Sequence, residues 1–144
     1  MLALATGTWH IASVSWGKDS LAMLLKLMDL GEPLDEVVFF DTGMEFQAIY
    51  DTRDRAVPLL RRKGIHYTEL RPRHPMWWSM FCRPVKKSGT STVHRHGYGW
   101  CGGVCRWGTT EKQRALDNYS EAMRAVVYVG IAADETARLE KEVK

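Results

Sequence analysis

Short continuous apolar runs alternate along this chain with segments whose apolar residues recur every three or four positions, the signature of strands alternating with helices. Trp9 to Val14 is the first such run, and it predicts a strand. Leu21, Leu24, Leu25 and Met28 follow at helical spacing until Gly31 and Pro33 stop the helix. Val37, Val38, Phe39 and Phe40 form a second run, the pattern of a strand covered on both faces, which ends at Asp41. Thr42 with Glu45 fits a capping box, so a second helix should start there, turn Phe46, Ile49, Tyr50 and Val57 inward, and be kinked or split by Pro58. After Gly64, Ile65 to Leu70 reads as a third strand.

From Arg71 to Trp107 the periodicity fades, and three prolines interrupt the segment. Connections of that length inside a compact domain are usually functional or disordered. Six aromatic residues, Trp77, Trp78, Phe81, Tyr98, Trp100 and Trp107, weigh against disorder. Thr110 with Gln113 can cap a third helix running to about Met123, and Ala125 to Val129 then reads as a fourth strand. Gly130 to Glu135 and a charged, helical tail finish the chain. The alternation predicts one α/β domain over residues 1–144, built on an open, mostly parallel, doubly wound sheet with right-handed crossovers. In such a sheet a ligand lies beyond the carboxyl ends of the strands, here Ser15, Asp41, Leu70 and Gly130.

Composition narrows the class. A chain of 144 residues, 45% hydrophobic and 26% charged, is that of a soluble globular protein able to bury a core without disulfides. No apolar run approaches the roughly 20 residues of a membrane span, and the N-terminus lacks the regions of a signal peptide, so the expected setting is cytoplasmic with no membrane partner. Three cysteines, Cys82, Cys101 and Cys105, do not suggest a disulfide framework. With His94 and His96 they could supply a zinc or iron–sulfur site, although C-x3-C is not a strong metal signature and unligated cysteines are the simpler reading. The net charge of +3 conceals an asymmetry: no acidic residue lies between Glu69 and Glu111, where seven Lys and Arg side chains fall, and the remainder holds 13 basic against 17 acidic residues. A local excess of this kind steers anions. Arg83, Lys86, Lys87, Arg95, Arg106 and Lys112 are therefore candidates to meet sulfate, a nucleotide phosphate or an RNA backbone, with Arg83, Arg106 and Lys112 the chosen substrate contacts. The alternative is a solvated surface whose tryptophans pack on the sheet.

The run Ser15-Trp16-Gly17-Lys18-Asp19-Ser20 sits where the first strand hands over to the first helix. A helix N-terminus offers unpartnered amides and a favourable dipole to an anion, and Gly17 lets the backbone approach closely. Lys18 adds a positive charge, Ser15 and Ser20 add hydroxyls, and Asp19 could hold magnesium against the phosphates. Lys18 and Asp19 are thus the catalytic candidates.

SWGKDS resembles the SGGxDS signature of PP-loop adenine nucleotide alpha hydrolases, a Rossmann-like superfamily. FFDTGMEF and Gly130-Ile131-Ala132-Ala133-Asp134-Glu135 are similar to motifs of the branch that holds phosphoadenosine phosphosulfate (PAPS) reductases and the small subunit of ATP sulfurylase. Trp100 to Lys112 looks like the Cys-rich stretch of PAPS-reductase-like proteins, including those carried by phages. The resemblance implies a site for ATP or a related adenosine nucleotide, with phosphates on Ser15, Gly17, Lys18, Asp19 and Ser20, Trp16 stacking on part of the ligand, adenine near Phe39, Phe40 and Asp41, Asp41 itself near the base, the ribose or a metal, and Gly130 among the nucleotide-binding residues. It further implies attack at the α-phosphorus with release of pyrophosphate, a transferase chemistry tied to sulfur metabolism. Three features depart from the pattern. Trp16 stands where the commonest signature has glycine, the Glu-Cys-Gly element of the reductases is absent, and the sequence stops where relatives continue with another strand. The expectation is a shortened form, or a minimal domain that forms a homodimer or needs a partner subunit. The competing functions are a sulfonucleotide reductase without its cysteine tail and a non-catalytic nucleotide-, nucleic-acid- or protein-binding module.

Overall fold

In the computed structural model of the chain, the structure describes residues 7–99 and 106–135, with backbone alone at 106–109. Its main sheet contains β1 (His10–Ser13), β2 (Glu36–Phe40), β3 (His66–Leu70) and β6 (Val126–Val129), in the order β3-β2-β1-β6. All three pairings are parallel, as the alternation of strand and helix predicts. Helices α1 (Lys18–Leu30) and α2 (Gln47–Arg62) carry the chain from β1 to β2 and from β2 to β3. After β3 come α3 (Met76–Phe81), an antiparallel hairpin of β4 (Pro84–Lys86) and β5 (Val93–His96), and α4 (Arg106–Met123), which leads into β6.

Period-two alternation along the strands divides the core between two faces. Ala12, Val14, Val37 and Phe39 point to one face, where Leu24 of α1 and Val57 and Leu60 of α2 close over them. Glu36, Val38 and Phe40 point to the other, toward α4. Burial on both faces explains why β2 has no polar alternation. Its one charged member, Glu36, is buried at the amino end of the strand and accepts hydrogen bonds from Trp9 Nε1 (3.1 Å), Tyr119 OH (2.8 Å) and Thr68 Oγ1. These bonds satisfy the carboxylate and tie α4 to β2 and β3.

Several boundaries differ from the sequence expectation for local reasons. Helix α2 starts at Gln47, with Phe46 at its N-cap, because Gly43 has a left-handed φ of 73° that breaks the helical path after Thr42. Thr42 Oγ1 still donates to Glu45 Oε1 at 2.9 Å and accepts the Met44 N–H at 3.2 Å, but these bonds close a turn ahead of the helix. Phe46 is consequently 85% exposed rather than inward. Pro58 does not split α2, whose buried Val57 and Leu60 hold the helix through the lost backbone bond. The segment after Arg71 is not a plain loop: it contains α3 and the hairpin, and α4 begins at Arg106, before Thr110. The tail after Glu135 lies outside the described residues.

Trp16 occupies the left-handed region, with φ 61°, and is 2% exposed. Its ring packs against Phe39 (centroids 6.4 Å) and Tyr67 (6.0 Å) in the main core. Left-handed backbone at a bulky residue costs about 1–2 kcal/mol, whereas truncating a buried tryptophan costs about 3–5 kcal/mol. Burial therefore outweighs strain. Trp16→Gly, which relieves the φ, is expected to lower stability by about 2 kcal/mol, read as a reduced urea midpoint at unchanged slope.

Burial is the main cause that raises the hydroxyl pKa values of Tyr67 and Tyr119 above the ordinary 10.0, with nearby Glu69 and Glu36 adding to it. The folded state thus holds these protons more tightly than the unfolded one. Their contribution is complete below about pH 10 and is lost as pH rises through the folded values. Urea midpoints should fall more steeply above pH 10 in the native chain than in the Tyr67→Phe, Tyr119→Phe double variant.

Candidate functional site

The parallel register brings the strand ends to one edge of the sheet. Ser13 of β1 is opposite Val38 of β2 and Val129 of β6, so the turn after β1 lies between the ends of its two neighbours. The chain runs outward from β1 through β2 to β3 and then returns to β6 on the opposite side of β1, which makes the β1–β6 boundary the point where strand order reverses. Gly130, the first residue after β6, presses on this turn. A Cβ there would lie 3.0 Å from Ser20 Cα and 3.2 Å from both Asp19 O and Ser20 N. Glycine is what permits the approach.

The turn itself is closed by serine. Ser20 Oγ accepts the Ser15 N–H at 3.2 Å, donates to the Gly17 carbonyl at 3.2 Å and lies 3.1 Å from Ser15 Oγ. Its hydroxyl is engaged inside the turn and 8% of the residue is exposed, so the side chain serves the turn's own structure. Gly17 is the N-cap of α1 and supplies no side-chain cap; the first intrahelical bond is from Leu21 N–H to Gly17 O (3.0 Å). The amides of Lys18, Asp19 and Ser20 therefore have no intrahelical acceptor. Lys18 Nζ donates to Asp19 Oδ1 at 2.8 Å, and this bond raises the Lys18 pKa, with the charges of Asp19, Asp134 and Glu135 acting in the same direction. Asp19 and the segment after β6 thus face the lysine together.

Trp16 is the clear departure from the expected ligand contacts: its ring is a wedge beneath the turn rather than a surface above it. The rings of Phe39 and Phe40 are buried as well, leaving the backbone at the end of β2 as the part nearest the edge. Asp41 fares differently. It is buried at that end, its Oδ1 accepts Tyr50 OH and Gly43 N–H, each at 2.8 Å, and its Oδ2 is 3.6 Å from Arg71 Nη2.

Arg71 also donates to Glu69 Oε1 at 2.7 Å, and Arg53 donates to Glu69 Oε2 at 3.2 Å while lying over the Tyr50 ring at 4.9 Å. Tyr50, Arg53, Glu69 and Arg71 thereby form a closed support around Asp41 that sequence reading missed. The Arg53 side chain is 19% exposed, held between Glu69 and the Tyr50 ring. The i, i+3 spacing of Tyr50 and Arg53 and the placement of Glu69 and Arg71 about a strand end were the available signals.

The basic segment gathers elsewhere. Arg83 Nη1 donates to Glu111 Oε1 of α4 at 3.4 Å, and Arg73, His74, Trp78 and Arg114 join them around a cavity of about 320 Å³. Lys112 is half-buried on the same helix, and the Arg106 side chain lies outside the described residues. Among the described residues no hydrogen bond or ion pair joins Arg83 or the hairpin to the Ser15–Ser20 turn. Cys82 is exposed, Cys101 and Cys105 lie outside the described residues, and no group of three His, Cys, Asp or Glu side chains forms a metal cage among those described. Among them, too, no helix is long and apolar enough to cross a membrane.

The chain is 32% identical over 127 residues to the uncharacterized protein MJ0066 of Methanocaldococcus jannaschii, an alignment that covers 88% of the chain and 23% of that relative. No solved structure matches. The sequence model of the phosphoadenosine phosphosulfate reductase domain matches residues 10–143. A match of that extent, on a doubly wound sheet with its phosphate-type turn at the strand-order reversal, means that the chain belongs to the PAPS reductase domain family of the PP-loop adenine nucleotide alpha hydrolase superfamily.

Proposed function

We propose that the domain binds ATP or a related adenosine nucleotide with its phosphates on the Gly17–Ser20 turn and uses it to adenylylate an acceptor. The observation that carries this reading is the uncapped first turn of α1 held against Gly130 at the reversal between β1 and β6. Family membership supports a nucleotide substrate. In the reaction an acceptor nucleophile forms a bond to the α-phosphorus as the bond from that phosphorus to the bridging oxygen breaks. Pyrophosphate leaves with the electron pair, and the nucleophile gives up its proton to solvent. The amides of Lys18, Asp19 and Ser20, with the Lys18 ammonium, face the charge that develops on the phosphoryl oxygens. Asp41, braced by Tyr50 and Arg71, is positioned to orient the nucleoside.

Magnesium usually takes one or two carboxylates together with phosphate oxygens rather than an all-protein cage. Asp19, with a side chain 46% exposed beside the turn, fits that role. Bound there with the nucleotide, the ion would supply charge neutralisation.

The family match favours one other reading, a sulfonucleotide reductase completed by a cysteine from elsewhere. Calorimetric titration separates the two: adenylyl transfer expects ATP with magnesium to bind and release pyrophosphate in the presence of acceptor, whereas the alternative expects preference for PAPS. Asp19→Ala should weaken nucleotide binding about tenfold. Gly130→Ala forces a shift of a few tenths of an ångström in backbone atoms of the seat. It should also weaken nucleotide, at a stability loss of about 1 kcal/mol. Native affinity in both variants, or no response to any adenosine nucleotide, would remove the seat assignment.

A further inference from the structure

Helix α3 and the β4–β5 hairpin pack as one unit. Tyr98 N–H donates to Ser79 O (3.1 Å), Gly99 N–H to Met80 O (2.8 Å) and Gly97 N–H to Arg83 O (2.7 Å). Gly97 has φ 70°, and a Cβ at this position would lie 2.0 Å from Met80 O, so the hairpin can close on α3 only with glycine there.

This closure leaves aromatic rings on the outside. Trp77 and Phe81, one helical turn apart, are each 55% exposed, and Tyr98 is 50% exposed with the Arg83 guanidinium over its ring at 5.5 Å. Three exposed aromatics in a unit this small are a poor use of residues that could form a core, and the same unit carries Lys86, Lys87, His94, Arg95 and His96, all exposed on or beside the hairpin strands. Arg83 connects them to the cavity, where Arg73 and Arg114 add charge and His74 stacks on Trp78 at 4.2 Å. The segment from Leu70 to Thr110 contains no carboxylate to compete for these cations. In the described residues, Glu111 is the acid on the cavity wall.

We infer that this face binds single-stranded nucleic acid, with bases stacked on Trp77, Phe81 and Tyr98, phosphates along the hairpin cations, and one nucleotide seated at the Arg73–Arg83–Arg114 cavity. The chemistry needed is a ring for each base face and a cation for each phosphate, interleaved, and both are on one packed unit. A small anion would account for the cavity but not for the exposed rings. An acidic protein would account for the cations but not for the exposed rings. A duplex hides its base faces, and so fits less well than a single strand. The inference extends the adenylylation reading by naming the acceptor as a polynucleotide, while binding itself does not depend on the nucleotide seat.

The test is fluorescence anisotropy with labelled 12-mer single-stranded RNA, the same sequence as DNA, and its duplex, alongside ATP calorimetry on the same preparations. Either single strand should bind more tightly than duplex, and the RNA-to-DNA ratio will show whether the 2′-hydroxyl is read. Trp77→Ala should weaken binding about tenfold and Trp77→Phe should retain most of it, since both keep an exposed position and only one keeps a ring. Lys86→Ala, Lys87→Ala and Arg95→Ala together should reduce the slope of log affinity against log salt by about 2. Asp19→Ala should leave strand affinity unchanged. Strand binding without ATP binding supports this inference and removes the proposed function. ATP binding without strand binding does the reverse. Preference for duplex, or for polyglutamate over either strand, would also overturn the inference, as would an unchanged affinity in Trp77→Ala.

Discussion

Parallel pairing on both sides of β1 is the constraint from which the rest of the site follows. Parallel strands cannot be joined by a hairpin, so each must be reached by a crossover, and right-handed crossovers put α1 and α2 on one face and α4 on the other. Once β2 and β6 align with β1 in the same direction, their carboxyl ends share an edge. The turn after β1 then has a wall on either side, Asp41 from one neighbour and Gly130 from the other. No single segment of the sequence contains this site.

Two kinds of polar burial hold the arrangement. At the amino edge Glu36 accepts bonds from Trp9, Thr68 and Tyr119, which fixes α4 to the sheet. At the carboxyl edge Asp41 is held by Tyr50, Gly43 and Arg71, and the support continues through Glu69 to Arg53. The two carboxylates bracket β2, Glu36 as its first residue and Asp41 just past its last, and β2 is the strand most completely buried, where an unpaired charge would be most costly. The network at the carboxyl edge differs in leaving Arg71 largely exposed.

The unit made by α3 and the hairpin follows another logic. It contributes few large buried side chains, is joined to α4 through Arg83 and Glu111, and spends its aromatic residues outward. Elements organised in this way serve recognition more readily than stability. The acid-free, basic stretch of the sequence falls on and around this unit, in a chain whose remaining residues are net acidic.

The strands of the main sheet, the first helix and the turn that precedes it were legible because each depends on neighbours in sequence: apolar period, the Gly31 stop, and the Gly17-Lys18-Asp19 junction. The start of α2 was misread because the Thr42–Glu45 pair satisfies the same hydrogen bonds in a turn as in a cap, and the left-handed Gly43 chooses between them. The hairpin was invisible because its strands are only three and four residues long and almost wholly exposed, too short for a period to register. Trp16 is the sharpest case. From the sequence it is an aromatic beside a phosphate seat; in the fold it is a core residue, because its positive φ directs the ring between Phe39 and Tyr67, which lie 23 and 51 residues along the chain. The sequence by itself determined the class of fold and the turn between the first strand and the first helix, since backbone conformation and local periodicity carry that information. Which side chains brace Asp41, which rings face solvent and what Gly130 touches were decided only in three dimensions, because those contacts join segments whose separation along the chain has no local signature.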